Sequence, residues 1–546
     1  VSCDLPVGTA TEAERYNFFT VRKKSEFTSA TAYYDYEHRQ FYVKCGQLDK
    51  GNGSLAYGTF NDTTNSTGWG VLDVKFTNPS MGFTEDLARM TAAGVIEGIL
   101  TGERIYQSYT NNIRTFLAGK PKFEAKLKEF YLKQNKWMRE MVTQNPSDPF
   151  WQGVSLVIAQ LDGLLIGSKM VSCQNKTLPE LDLFAMLFQN GMGDILDLQY
   201  VLDPSSFPDI QKSTPEELRK FFQNVGHCSV LIKALPGFED ILMSHSTWFN
   251  YNTMLRIYKH YNFDTIFRGS AAKAMSFSSY PGMLVSMDDF YILGSDMLML
   301  QTTNSIFNQT LYKLVKPESL LAWQRVRVAN LMANSGAEWG SIVAKYNSGT
   351  YNNQYMVVDR KRIAGELHDG TLTVVEQIPG LVVSKDQTAI LREGYWSSYN
   401  VSFYENIYNM SGYPMMKSKM GNFYSHQLTV RAEIFRRDEG TVTDMDSLKT
   451  IMRYNDYLHD KYSNKDPSWS ICSRYDLKSK DAFAGGCTDT KMTNLAMAKT
   501  LTAVAVSGPT TSHGLPVFKW TGRFNVSHLG LPLSYDFPFV VMKPSL

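Results

Sequence analysis

Cys228 offers the most definite chemistry of any residue in the chain. It opens a strand-like run, CSVLIK, directly after a Pro- and Ser-rich connector at residues 201–227. A Pro236–Gly237 turn follows, then a second strand-like run carrying His245 and Trp248. If the peptide bond between His227 and Cys228 is cut, one residue gains both a thiol and a free α-amine. An unperturbed α-amine titrates near about 8, so a modest downward shift makes it a general base close to neutral pH. The amine can take the thiol proton, directly or through one water, which is the N-terminal-nucleophile arrangement. On spacing alone, the plainer reading of Cys228 as a buried structural thiol carries the greater weight.

Other engines are missing. The sequence has no G-x-S-x-G elbow, no H-E-x-x-H, no Walker loop and no G-x-G-x-x-G. Its 9 His are scattered without metal-ligand spacing, so no metal and no cofactor is expected. The carboxylate pair Asp288–Asp289 is read as turn residues rather than as a glycosidase pair. Lys plus Arg is 55 and Asp plus Glu is 53, which gives no basic excess for nucleic acid. The 6 Cys (Cys3, Cys45, Cys173, Cys228, Cys472, Cys487) are too few for a disulfide-built scaffold and include no C-x-x-C. Cys472 and Cys487 are close in sequence, flank a loop-like run with Gly485 and Gly486, and form the best disulfide candidate.

The chain opens on Val1 rather than Met, which suggests that a signal segment has been removed. Sequons stand at Asn52, Asn61, Asn65, Asn175, Asn308, Asn400, Asn409 and Asn525. With the first residue, they suggest a glycoprotein of the secretory pathway. The most apolar stretch, Val154 to Ile166, is shorter than a membrane span and contains Asp162, so no transmembrane helix is expected.

These residues need elements to hold them. Residues 84–145 and the run opened by Asp148–Pro149 are helical in period, so the N-terminal third reads as a mostly helical layer behind a variable leader. Residues 201–227 read as an exposed connector with a capping box at Thr214, Pro215 and Glu217. Residues 250–261, 320–334, 444–456 and 492–506 read as helical. Between Met275 and Thr303, turn dipeptides every few residues mark an antiparallel sheet, and 355–358 and 372–383 also read as strands. Helices layered on antiparallel sheets, an α+β fold, is the architecture this pattern implies.

The segments HCSVLIKALPGFEDILMSHSTW, SFSSYPGMLVSMDDFYILGSDMLMLQTT, NSGTYNNQYMVVD, YWSSYN, RAEIFRR and MRYNDYLHD strongly resemble the phospholipase B-like family. The resemblance covers most of the chain. It implies an N-terminal-nucleophile hydrolase fold, a four-layer αββα sandwich, made as a precursor and cut before the nucleophilic Cys. The implied organisation is a light fragment over 1–200, a trimmed connector over 201–227 and a heavy fragment over 228–546, with the fragments staying associated; a homodimer is compatible with it. It also implies a lysosomal glycoprotein that removes fatty acyl chains from phospholipids through an acyl-enzyme intermediate. An N-acyl amide hydrolase of the same mechanism and a non-catalytic lipid-binding glycoprotein are the alternatives. By the same resemblance, Cys228 is the nucleophile, with His245 and Trp248 beside it on the adjacent strand. Thr303, Asn400 and Arg431 complete the pocket, Asn400 as oxyanion donor and Arg431 as the cation for thiolate, oxyanion or phosphate. Asn400 lies in a sequon, so a pocket role requires it to be free of glycan.

Overall fold

The computed structural model describes residues 28–546 except 36, 38, 39, 52, 78–80 and 223–225. Four strands precede the long helices: β1 (Ser29–Asp35), β2 (Gln40–Cys45), β3 (Ser54–Thr63) and β4 (Trp69–Phe76). Nine follow the connector: β5 (His227–Ala234), β6 (Ile241–Asn250), β7 (Arg256–Asn262), β8 (Ala274–Ser279), β9 (Phe290–Leu293), β10 (Met297–Thr303), β11 (Asn353–Asp359), β12 (Leu372–Ile378) and β13 (Leu381–Asp386). The remainder are β14 (Tyr395–Ser398), β15 (Gly485–Thr493), β16 (Ala503–Ser507), the short pair β17 (Phe518–Lys519) and β18 (Ser534–Tyr535), and β19 (Val540–Met542).

They build an 11-stranded sheet, β13-β12-β11-β10-β9-β8-β7-β4-β3-β1-β2, and a 6-stranded sheet, β14-β5-β6-β15-β16-β19. The two lie face to face. Strand alternation shows it: along β10, Met297 and Met299 face the helical layer, while Leu298 and Leu300 share a core with Val230, Ile232 and Leu242 of the smaller sheet. Helices Phe83–Phe116 and Pro149–Gln174 cover the outside of the larger sheet. Helices Val430–Asp438 and Met445–Met452 lie against the smaller one, where Ser246 Oγ donates to Met452 O at 3.1 Å. The molecule is the α+β sandwich expected.

The two long helices touch through glycine. A Cβ built on Gly163 would sit 2.0 Å from Thr91 O, and one on Gly94 would sit 2.1 Å from Gln160 O. The Gly163→Ala chain is expected to lose about 2–3 kcal/mol, read by denaturant unfolding, because neither backbone can yield without opening the helix pair. An unchanged midpoint would show that the helices separate freely.

Several elements differ from the sequence reading. The N-terminal third is not only helical: β1–β4 join the larger sheet, and β4 runs parallel to β7 from Trp69↔Arg256 to Lys75↔Asn262. β3 and β4 are buried along most of their length, so no clean in–out alternation marks them in the sequence. Residues 250–261 give one 3-10 turn and then β7, and 492–506 give the end of β15, one short helix and β16. Tertiary pairing overrides helical propensity at both. The connector is anchored rather than exposed throughout: Phe207, Ile210, Leu218 and Phe222 are buried. Its capping box forms, with Thr214 N donating to Glu217 Oε2 at 2.7 Å and Glu217 N to Thr214 Oγ1 at 3.2 Å. The apolar stretch around Val154 extends to the 26-residue helix Pro149–Gln174, long and apolar enough by composition to cross a membrane. Here it is mostly buried in the helical layer, and Asp162 pairs with Arg139 at 2.6 Å.

Candidate functional site

β14 pairs with β5 through Ser398↔Val230. Continued by two residues, that register sets Asn400 opposite Cys228. The backbone of β14 turns away there, with Asn400 at φ 67°. Asn tolerates this left-handed conformation better than most residues, and such strain gathers at functional sites. The Asn400 side chain takes over the pairing that the strand abandons. Its Oδ1 accepts from Cys228 N at 3.0 Å and from Arg431 Nη2 at 2.8 Å. Its Nδ2 donates to Thr303 O at 2.6 Å, which leaves one N–H for another acceptor. Two donors at Oδ1 and a carbonyl at Nδ2 fix the amide orientation.

Arg431 stands in the first turn of helix Val430–Asp438 and is buried. It donates to Cys228 O, to Tyr399 O at 2.7 Å and to Asn400 Oδ1. Its guanidinium lies 4.3 Å from the centre of the Trp248 ring. The backbone of Cys228 is therefore held on both sides, nitrogen by Asn400 and carbonyl by Arg431. The hydrogen bonds of Arg431 go to carbonyls, an amide and the Ser229 hydroxyl, and none to a carboxylate. Burial lowers it to about 10, so it stays charged. A buried cation bonded only to neutral oxygens is costly for stability and is a ready seat for an anion.

The face of this group opens on a narrow cleft. His227, Trp248, Asn400, Arg431, Phe423 and Trp469 line it, with Tyr399, Tyr475 and the hydroxyls of Ser305 and Ser468. Its walls are mostly aromatic, with a few polar groups at the back. Trp248 Nε1 donates to Ile471 O at 3.1 Å. The wall carrying Trp469 and Tyr475 is tied to β15 by the Cys472–Cys487 disulfide, whose Cα atoms are 5.1 Å apart. Gly485 and Gly486 belong to β15 rather than to a loop.

Cys228 itself is buried behind this wall, and burial pushes its thiol up to about 12. His245 does not reach it directly. His245 Nε2 lies 2.9 Å from Gln301 O, and Nδ1 lies 3.0 Å from Lys491 Nζ. Burial and Lys491 hold the imidazole well below its ordinary pKa, so it is neutral. Thr303 touches the site through its carbonyl, which receives Asn400 Nδ2. The structure thus brings Cys228, Trp248, Thr303, Asn400 and Arg431 together and sets His245 one layer deeper.

The sequence reading missed a charged cluster. Asp288, placed on a turn, is fully buried and pairs with Arg256 at 2.9 Å and with Lys491 at 2.5 Å. Asp489 pairs with Arg256 and, at 2.8 Å, with Lys491. One ligand atom from each of His245, Asp288 and Asp489 falls within 4.8 Å of the others. The Lys491 ammonium sits among all three, in the place a metal ion would take. Asp489 and Lys491 at alternate positions of a central strand were the signal: charges pointing inward need partners.

Of the sequons, Asn61, Asn65, Asn409 and Asn525 are exposed, Asn175 and Asn308 half-buried, and Asn400 buried. Asn52 and Cys3 lie outside the described residues.

An α+β sandwich with a buried Cys–Asn–Arg group behind an aromatic cleft is the class that this geometry describes. The family model for phospholipase B matches residues 56–542, and the chain belongs to that family. It is 48% identical over 521 residues to phospholipase B-like 1 of Homo sapiens, covering 95% of this chain and 92% of that protein. It is 46% identical over 525 residues to phospholipase B of Crotalus adamanteus, covering 96% and 94%. Phospholipase B-like protein D of Dictyostelium discoideum is 37% identical over 503 residues, covering 89% and 87%.

Proposed function

We propose that the protein hydrolyses acyl–lipid bonds, with phospholipid esters as the first substrate class, through Cys228 as an N-terminal nucleophile. Membership of the phospholipase B family supports the lipid and the hydrolysis. The observation that carries the mechanism is the grip on the Cys228 backbone by Asn400 and Arg431 at the back of an aromatic cleft. Cleavage of the His227–Cys228 bond frees the nitrogen that Asn400 already holds. That nitrogen, now an amine, takes the thiol proton, and the sulfur attacks the acyl carbonyl carbon. The carbonyl π electrons move to oxygen, where the remaining Asn400 N–H and the Arg431 charge oppose the developing negative charge. Collapse expels the alcohol or amine, protonated by the α-ammonium, and water then releases the fatty acid from the thioester.

The test is N-terminal sequencing of the separated fragments, with release of fatty acid from phospholipid compared with release from an N-acyl amide. An active protein that remains a single chain through Cys228 overturns the mechanism. Faster amide turnover moves the substrate to the N-acyl amides.

We also propose the lysosomal lumen as its compartment. Asp197 is consistent with work in acid. It is buried, bonded by the Tyr312 hydroxyl at 2.6 Å, and burial pushes its carboxyl up to about 6. The unfolded carboxyl titrates near about 3.9. Between these values the folded chain holds a proton that the unfolded chain lacks, so this group adds stability as pH falls through 6. His260 and His426, lowered by burial to about 3 and about 4, act in the opposite sense below the ordinary imidazole range. Comparison with Asp197→Asn isolates the carboxyl: the melting temperature of wild type relative to the variant is expected to rise from pH 7 to pH 5. A constant gap would refute it.

A further inference from the structure

One buried cluster beside Cys228 takes no direct part in the chemistry above. On the face of the smaller sheet that looks toward the larger one, Cys228, Thr247 and Asp489 stand side by side on β5, β6 and β15. His245 and Lys491 stand in the next row. The Lys491 ammonium donates to Asp288 at 2.5 Å, to Thr247 Oγ1 at 2.6 Å and to Asp489 at 2.8 Å, with His245 Nδ1 at 3.0 Å. Thr247 Oγ1 in turn donates to Asp288 at 3.0 Å. Lys491, Arg256, Asp288 and Asp489 have no exposed side-chain surface. An apolar cluster of equal volume would be at least as stable, so such a network beside a reactive sulfur points to a task.

We propose that Lys491, acting through Thr247, is a positioning residue for the Cys228 sulfur. The proposal rests on Cys228 being the nucleophile. Thr247 is the direct cross-strand neighbour of Cys228. Its hydroxyl is fixed between the Lys491 ammonium and the Asp288 carboxylate, which holds the Thr247 side chain in one orientation beside Cys228. The Lys491 charge favours the ionised thiol, as does the Trp248 backbone N–H, while Asp288 and Asp489 oppose it. Tyr280, Tyr351 and Arg431 also lie within range of charge interaction with the sulfur. His245 Nε2 donates to Gln301 O, so in the neutral ring Nδ1 carries no proton and faces the Lys491 ammonium; burial and that charge keep the ring neutral. In the reaction, the thiol proton goes to the freed α-amine and sulfur keeps the electron pair. The new α-ammonium balances the thiolate, and Lys491, held between Asp288 and Asp489, fixes Thr247 and transfers no proton.

The experiment measures iodoacetamide alkylation of Cys228 by peptide mass spectrometry across pH, on processed protein whose heavy fragment begins at Cys228. Wild type, Thr247→Val, Thr247→Ser and Lys491→Met are compared, with hydrolysis by Cys228→Ala as control. In Thr247→Val, alkylation at pH 6 is expected to fall about tenfold, an upward shift of about one pH unit in the thiol profile. Thr247→Ser restores the profile, and Lys491→Met shifts it in the same direction as Thr247→Val. Lys491→Met strips a cation from two carboxylates; if it does not fold, the Thr247 pair decides alone. A Thr247→Val profile that superimposes on wild type overturns the proposal. So does an equal fall in Thr247→Val and Thr247→Ser. Hydrolysis that survives Cys228→Ala overturns instead the nucleophile reading beneath it.

Discussion

A Cys228→Ala chain is expected to emerge as one uncut polypeptide and to hydrolyse acyl lipid at least about 10³-fold more slowly than wild type. Both losses follow from one atom. In the proposed mechanism the sulfur that attacks the lipid carbonyl also attacks the preceding peptide, whose His227 borders the cleft. The fold should survive, because Cys228 makes no disulfide and its backbone bonds to Asn400 and Arg431 need only the main chain. Melting temperature and fragment analysis by denaturing gel check the two parts separately. Full turnover by the uncut variant would remove Cys228 from the mechanism. Cutting at His227–Cys228 in the alanine chain would assign that step to a protease.

Asn400→Asp is expected to lower kcat by about 10²–10³, with a smaller change in KM. Asp is nearly isosteric and accepts the left-handed backbone at φ 67°, so the loop geometry should hold. The variant keeps an acceptor for Cys228 N and Arg431. It loses the donor to Thr303 O and the remaining N–H, and it places a carboxylate against the Arg431 cation. The charge that Arg431 would lend to an oxyanion is then spent on its neighbour. Asn400→Asp also removes a sequon, so Ser402→Ala serves as control: it removes the sequon and leaves the amide. Asn400 is buried, so peptide mass analysis of wild type should find it bare while Asn409 and Asn525 are free to carry sugar. A glycan at Asn400, or unchanged kcat in Asn400→Asp, would exclude it from the site.

Legibility in the sequence followed physical range. Local signals were visible: the Pro236–Gly237 turn, the Thr214–Glu217 cap and the turn dipeptides between Met275 and Thr303 all depend on residues a few positions apart. The grouping of Cys228 with Thr303, Asn400 and Arg431 was not in the local text. These four lie on separate elements across 204 residues of chain, counted from 228 to 431, and the family motifs supplied the set. Periodicity misread β7, because Arg256, Lys259 and His260 interrupt its alternation; their partners Asp489, Glu97 and Ser276 lie on other elements. Asp288 was legible as a turn residue and illegible as an ion-pair partner for the same reason. The glycines at 94 and 163 look like helix-weakening residues until the second helix is in place.

The parallel seam between β4 and β7 joins chain from before and after residue 227 within one sheet. Before the proposed scission, recovery from denaturant is a unimolecular search whose rate ignores dilution. Afterwards the same seam must be rebuilt by two molecules meeting, so recovery becomes second order and competes with aggregation. Such maturation would trade renaturability for reactivity, and the cut form would persist by the height of its unfolding barrier.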